Sequence, residues 1–480
     1  MSSRDSSGDV AEPVAAPSTT RFSLPVDEKN RATKLIIWQF NRPHMRAFHF
    51  AWSSFFLAFF GWFALAPLLP TIKEENDWLN DDSALDSNII GVAGTVMMRF
   101  VAGPVCDRFG PRITQTTLLT VFSIPVFLVG TANSFATFAL ARFFIGFIGA
   151  AFVVTQAWTS IMFAPVIVGT ANATSAGWGN LGGGVTNAIM PLIFKGVNAG
   201  LNDPNKAWRV AQVIPGIALV LSGVALFFLS DDCPDGNYQD LIKAGTRTKT
   251  NPWLAFFRAS KNYRSWVLFA LYAACFGVEL IMNGNLASYF KSDVFGLSQS
   301  VSGLIAGLFG LMNLFARSIG GIASDGAAKK YGMRGRLWAF FIILFLESLA
   351  LIAFSRIGKI GIAIPVLIIF SSFVQMAEGA TFGIVPFVDP EATGAVSGIV
   401  GAGGNVGAVT LSFLLKIGKK QTGFLYLGFV VLGASFLVHT LYWPQYGSTF
   451  RPATTPPVKV VEDEADVQDE YAAGPAPIAT

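Results

Sequence analysis

The sequence predicts an all-α membrane protein of twelve transmembrane helices, arranged as two pseudo-symmetric six-helix halves. Three observations carry that reading. The 480 residues are 52% hydrophobic but only 13% charged, where a soluble domain would carry about 25% charge. Glycine and phenylalanine are abundant, with 48 and 44 copies, and glycine is enriched in membrane helices. Finally, one stretch occurs twice. Arg99, Gly103 and Asp107 recur as Arg317, Gly321 and Asp325, each pair 218 positions apart (99 to 317, 107 to 325), with the arginine inside an apolar run and a basic loop after the aspartate.

A bilayer-spanning helix needs about 20 mostly apolar residues. On that criterion the first half (48–230) holds spans near 48–70, 87–106, 113–131, 135–163, 167–194 and 208–230. A polar central loop, 231–264, separates it from a second half (265–443) with spans near 265–290, 298–323, 336–356, 360–387, 392–416 and 422–443. Residues 1–47 lack the apolar core of a secretory signal and are Ser-, Pro- and Ala-rich before turning basic, which reads as a disordered arm. Residues 444–480 are Pro-rich and acidic (Glu462, Asp463, Glu464) and read as a second disordered tail. With the tails on the inside, inner segments hold twice as many Lys and Arg as outer loops, so both termini are expected in the cytoplasm. The Lys416–Lys420 cluster runs against that bias.

Several classes drop out. The net charge of +4 is small and its basic residues are scattered, which excludes a nucleic-acid partner. Cys106, Cys233 and Cys275 form no disulfide framework, and His44, His49 and His439 have no metal-ligand spacing; neither metal nor cofactor is expected. Gly358-Lys359 and Gly418-Lys419 lack the upstream glycine of a phosphate loop, so ATP is not the driving force. No nucleophile–base set stands out, which sets an enzyme aside.

What remains is chemistry inside the spans. A lone arginine in an apolar run costs several kcal/mol unless it lines a cavity or finds a partner. Arg99 and Arg317 incur that cost at matching places, which points to an anion site between two repeats. Guanidinium is planar, always charged and forked. Two such groups facing one cavity repel, an anion between them relieves the repulsion, and such a site retains little negative counter-charge of its own. Span five carries Ala176–Gly184 (AGWGNLGGG) and span eleven Ser397–Gly407 (SGIVGAGGNVG). Both have small-xxx-small spacing for close helix approach, and glycine density weakens a helix. Gly182, Gly183, Gly403 and Gly404 therefore mark helices that slide or bend, with tight static packing as the plainer alternative. Asn180 and Asn405 place amides deep in these spans, where an oxyanion could satisfy them. Glu279 and Glu378 are counted as the acidic residues within spans. Each either carries a proton or forms a structural bond, for instance to Arg142 or Arg317.

The Gly103–Arg112 stretch (GPVCDRFGPR), its echo Gly321–Lys330 and Arg142–Ala150 (RFFIGFIGA) resemble the signature loops and helix-four motif of the major facilitator superfamily. In that fold Asp107, Arg108 and Asp325 hold conformations rather than substrate. Arg99, the asparagine-bearing glycine signatures and Arg317 together resemble the nitrate/nitrite porter family. The stretches Arg42–His49 (RPHMRAFH), Ala66–Pro70 (APLLP), Asp232–Tyr238 (DCPDGNY) and Ala377–Phe387 (AEGATFGIVPF) are similar to its eukaryotic high-affinity members. The resemblance implies a plasma-membrane nitrate carrier, also taking nitrite, that works by proton symport and alternating access. Arg99 and Arg317 would clamp the anion, with Asn180 and Asn405 assisting. Phe59, Phe152, Tyr272 and Phe276 would close the site, against a reading of the phenylalanines as ordinary packing. Some plant members work with a single-span accessory subunit. Nitrate/nitrite exchange is the alternative transport mode and a nitrate sensor the alternative class.

Overall fold

The computed structural model describes residues 22–454 except 250 and 292–293. The acidic tail residues Glu462–Asp466 lie outside the described residues. The architecture is all-helical, with long apolar helices and no sheet among the described residues. The first six spans are α1 (His44–Glu75), α2 (Asp81–Phe109), α3 (Pro111–Thr131), α4 (Phe135–Met162), α5 (Val168–Leu201) and α6 (Pro204–Leu229). The second six are α7 (Tyr263–Lys291), α8 (299–331), α9 (333–356), α10 (Ile360–Phe387), α11 (Thr393–Lys416) and α12 (Lys420–Thr440).

Two spans are not obvious by hydropathy. The helical run Val301–Arg356 has 56 residues, about 84 Å at about 1.5 Å per residue, far beyond one bilayer crossing. Gly332 divides it, with φ 57° and ψ −146°, a backbone region open essentially to glycine alone. That turn makes α8 and α9 antiparallel neighbours. The other is α5, whose Gly, Asn and Thr content keeps it from standing out as apolar although it runs 34 residues. Its cost in propensity is met by packing: it lies against α1 of its own half and α8 of the other.

The even number of spans puts the start of α1, the end of α12 and segment 230–262 on one face, the terminal face. The segment before α1 is not a disordered arm over its described part. Ala32 donates to the Met162 carbonyl (2.9 Å), and its own carbonyl accepts from Ala164 (2.9 Å), so residues 22–43 are pinned beneath α4 by backbone pairing. Segment 231–264 is likewise more than a loop. It contains two short helices, Tyr238–Lys243 and Pro252–Lys261. Arg258 on the second grips Asp389 (2.5 Å) and Glu391 (2.8 Å) at the start of α11.

The halves meet along two seams, α2 against α11 and α5 against α8, and both are tight at the terminal face. The Asp107 carboxylate accepts from the backbone N–H of Gly394 and Ala395 (2.8 Å each), the first turn of α11. The Asp325 carboxylate accepts from Gly169 (3.1 Å) and Thr170 (2.6 Å), the first turn of α5, and pairs with Arg336 (2.6 Å). Each carboxylate thus caps the N-terminus of a helix in the other half, where unpaired N–H groups and the helix dipole favour negative charge. Nearer the opposite face the α2–α11 seam parts, leaving an apolar groove of 340 Å³ lined by Ile89, Val96, Met97, Val406, Val409 and Thr410. The molecule is closed toward the terminal face.

Candidate functional site

Midway along the seams, Arg99 and Arg317 are both completely buried. Glycines make this possible. A Cβ on Gly398 of α11 would sit 2.4 Å from the Arg99 carbonyl oxygen. A Cβ on Gly379 of α10 would sit 2.2 Å from the Arg317 carbonyl oxygen, and one on Gly177 of α5 would lie 3.2 Å from the Arg317 Cβ. Each arginine is therefore delivered to the centre by glycines, and for each of them one of those glycines belongs to the opposite half.

Arg99 donates through Nε and Nη2 to the Gly149 carbonyl (3.3 Å each) and through Nη1 to the Gly401 carbonyl (2.5 Å). Gly149 lies where α4 tightens into a 3-10 turn, Phe147–Ala150, a geometry whose poorer internal bonds tilt carbonyls outward. Gly401 is on α11, so this one side chain ties the halves together. Arg317 donates to the Tyr272 hydroxyl (2.9 Å) and to Glu378. Its Nε has no protein partner.

The two guanidinium carbons lie over the same ring, Phe152, at 5.1 Å (Arg99) and 5.6 Å (Arg317). Arg99 also lies 5.6 Å from the Phe276 ring. Phe152, Tyr272 and Phe276 are nearly parallel, with interplanar angles of 4° to 10°. Desolvated cations over aromatic faces gain about 2 kcal/mol, a partial return on their burial. The arrangement offers planar walls, two fixed positive charges and forked donors, which suits a small flat anion.

Several expected members fall elsewhere. Phe59 is one ring removed: it packs on Phe55 (4.4 Å), and Phe55, one helical turn earlier, reaches Phe152 (5.6 Å). Phe382, which the sequence reading missed, stands edge-on to both Phe152 and Tyr272 at 5.0 and 5.2 Å. The Asn180 amide donates weakly to Asn313 (3.5 Å), which in turn donates to Glu279 (2.7 Å), so a polar line crosses from α5 to α7. Asn405 is fully buried with neither amide atom partnered by protein, a state that costs about 1–3 kcal/mol per group unless a ligand fills it.

The acidic count and the charge expectation both need correction. Glu347 on α9 is a third in-span acid, fully buried, with neither oxygen partnered. The site does retain a counter-charge, because Glu378 forms a buried ion pair with Arg317. Arg142 takes no part: it donates to Asn88 and fastens α4 to α2. Arg108 lies beside the Phe109 ring at 5.3 Å on the terminal face.

The glycines singled out for motion pack inside their own halves. A Cβ on Gly182 would strike the Phe56 carbonyl of α1 (2.1 Å), and Gly183 faces Phe63 (3.3 Å). Those on Gly403 and Gly404 would strike Phe269 (2.3 Å) and Phe276 (2.4 Å) of α7. The glycines at the inter-half seams include Gly103, Gly394 and Gly398 on one side, and Gly169, Gly177 and Gly321 on the other. Periodicity alone could not say which face of a glycine-rich helix looks across the seam.

Comparison with known proteins gives the family and the fold. Residues 51–412 match the Major Facilitator Superfamily model. The chain is 41% identical to the high affinity nitrate transporter 2.5 of Arabidopsis thaliana, covering 90% of this chain and 86% of that one. It is 38% identical to nitrate transporter 2.1 of Chlamydomonas reinhardtii, covering 97% and 85%. Among solved structures, the Escherichia coli fucose:proton symporter FucP superposes with a TM-score of 0.61 at 12% identity, over 83% of this chain and 99% of that one. The human organic anion transporter MFSD10 superposes at 0.60 with 15% identity, over 83% and 100%; these likenesses speak to the fold alone. With paired arginines at the crossing of its seams and relatives of this kind along nearly its whole length, the chain belongs to the nitrate/nitrite transporter family of the major facilitator superfamily.

Proposed function

We propose that this chain imports nitrate, and nitrite with it, across the plasma membrane by proton symport, with the anion held between Arg99 and Arg317 while access alternates between the two faces. The single observation that carries the reading is the pair of fully buried guanidinium groups, one from each half, over the shared Phe152 ring. The named activities of the relatives support the substrate.

The terminal face is the cytoplasmic one in this proposal, in keeping with its excess of Lys and Arg. Bringing an anion in against an inside-negative potential costs about 2.3 kcal/mol per 100 mV. One proton per nitrate cancels that cost, and a second would let the potential drive uptake. Asp107 and Asp325 act as latches, since each holds a helix of the opposite half. Asn405 supplies a directional donor, as its amide has no other partner.

The test is nitrate uptake by the purified chain alone in liposomes. Uptake driven by an imposed proton gradient supports symport without an accessory subunit. Uptake that needs internal nitrite instead indicates exchange, and uptake restored only by a single-span partner indicates an obligatory complex. Nitrate binding with no flux under any condition would favour a sensor.

A further inference from the structure

Three carboxyls, Glu279, Glu347 and Glu378, lie buried in the second half on α7, α9 and α10; Glu279 and Glu378 stand within hydrogen-bond reach of each other, and neither oxygen of Glu347 has a protein partner. Their cationic contact is Arg317, through Glu378. Glu279 and Glu347 are the carboxyl neighbours of Glu378; Tyr272 and Cys275 of α7 complete its titratable surroundings, and α5 contributes only neutral groups. In the first half Arg99 is held by backbone carbonyls and has no carboxylate. One guanidinium balances one carboxylate, and an unpaired buried ion costs several kcal/mol. Glu378 is therefore the carboxylate that Arg317 balances.

A nitrate arriving between Arg99 and Arg317 would put a second anion on the guanidinium already paired to Glu378, and two like charges on one group favour the protonated form of the carboxyl. We infer that nitrate and a proton arrive together at Arg317: as the anion takes the Nε–Nη2 edge of the guanidinium, the Glu378 carboxylate on Nη1 takes a proton from solution, making Glu378 the residue that links the proton to the anion.

This rests on the nitrate reading above and adds the group that couples it. No covalent bond is made or broken except the new O–H on Glu378. The Arg317 Nε, unpaired as it stands, and Nη2, now occupied by Tyr272, form the edge that receives two nitrate oxygens. Tyr272 keeps a place on the ligand as a hydroxyl donor. The buried neighbour Glu279 leads to Asn313 and Asn180, a polar line that crosses to α5 of the other half. Linkage is reciprocal: if nitrate binding adds a proton, lower pH must tighten nitrate binding.

The experiment is nitrate affinity of the purified protein as a function of pH, together with proton uptake from weakly buffered solution when nitrate is added. Wild type should weaken by up to about tenfold per pH unit above the linked titration, the limit for one proton, and take up close to one proton per nitrate bound. Glu378→Gln should bind nitrate with little pH dependence and take up no proton, while Glu378→Asp should restore both. Wild type that binds nitrate equally at every pH without proton uptake would overturn the linkage to Glu378 and leave the nitrate reading intact. Glu378→Gln that keeps the wild-type slope would also overturn it. Absence of nitrate binding at any pH would remove the substrate reading and the inference with it. The wild-type proton uptake decides the matter even if the glutamine variant does not fold.

Discussion

Replacing Arg99 by lysine isolates what the guanidinium fork contributes, because charge is kept while shape is lost. In the structure Arg99 reaches two carbonyls on opposite halves with three nitrogens. A lysine ammonium is a compact charge with three donors on one atom and lacks the planar fork that Arg99 spreads over the Gly149 and Gly401 carbonyls. It also gives up the flat face laid over Phe152 and Phe276 at 5.1 and 5.6 Å. Against a bound anion the loss is at least one charge-assisted hydrogen bond, about 1.5–3 kcal/mol, which is roughly a ten- to hundredfold rise in Kd. The assay is equilibrium binding of nitrate to purified Arg99→Lys, with membrane insertion and thermal stability checked alongside. A well-folded variant whose Kd lies within twofold of wild type would refute forked recognition by Arg99.

Arg317→Lys should lose nitrate affinity to a similar degree, and Arg99→Ala combined with Arg317→Ala should abolish binding. Gly177→Leu should block transport more severely than Gly183→Leu, since a Cβ at Gly177 would lie 2.5 Å from the Asn313 carbonyl across the seam whereas Gly183 faces side chains of its own half at 3.3 Å. Equal transport by both variants would contradict that division. Asp107→Asn with Asp325→Asn should loosen the terminal face, read as faster cysteine labelling there; unchanged labelling would leave both carboxylates without a latch role. Nitrite and chlorate should compete with labelled nitrate and sulfate should not, because a divalent anion sheds far more hydration on entering a dry site; sulfate competing as well as nitrite would point to a general anion carrier.

Much of this was legible in the sequence because it is written in costs. An arginine in an apolar run, repeated 218 residues on, is expensive enough to require a reason, and the structure brings both copies to one ring. Spans could be placed from length and apolar character even through α5, where glycine lowers hydropathy. What could not be read was direction. Phe55 and Phe59 are one turn apart on the same helix, so nothing in their spacing says which reaches Phe152. The same limit hid which glycines face the seams. Glu378 could be offered two arginine partners, Arg142 and Arg317, but spacing did not choose between them; the structure pairs it with Arg317, 61 residues away on another helix. Glu347 was passed over because one acid in a strongly apolar helix leaves no pattern around it. Residues 22–43 looked disordered by composition, yet backbone pairing with α4 needs no particular side chain.

The two seams are built crosswise from the same parts. On one, Asp107 caps α11 and Gly398 of α11 admits the backbone of Arg99. On the other, Asp325 caps α5 and Gly177 of α5 admits Arg317. In each case the helix that is capped at the terminal face is the helix that seats the other half's arginine, about one turn deeper on α11 and about two on α5. Opening the terminal face therefore cannot be a local event. Freeing α11 from Asp107 relaxes the contact at Gly398 and strains the bond from Arg99 to Gly401; freeing α5 from Asp325 does the same to the seat of Arg317. In the proposed cycle, an anion bound by both guanidinium groups takes over the bonding that Arg99 gives to Gly401, so the occupied site would part with less loss than the empty one. On that proposal the gate and the site are tied through two backbone contacts, and the coupling needs no element beyond the repeated arginine, glycine and aspartate.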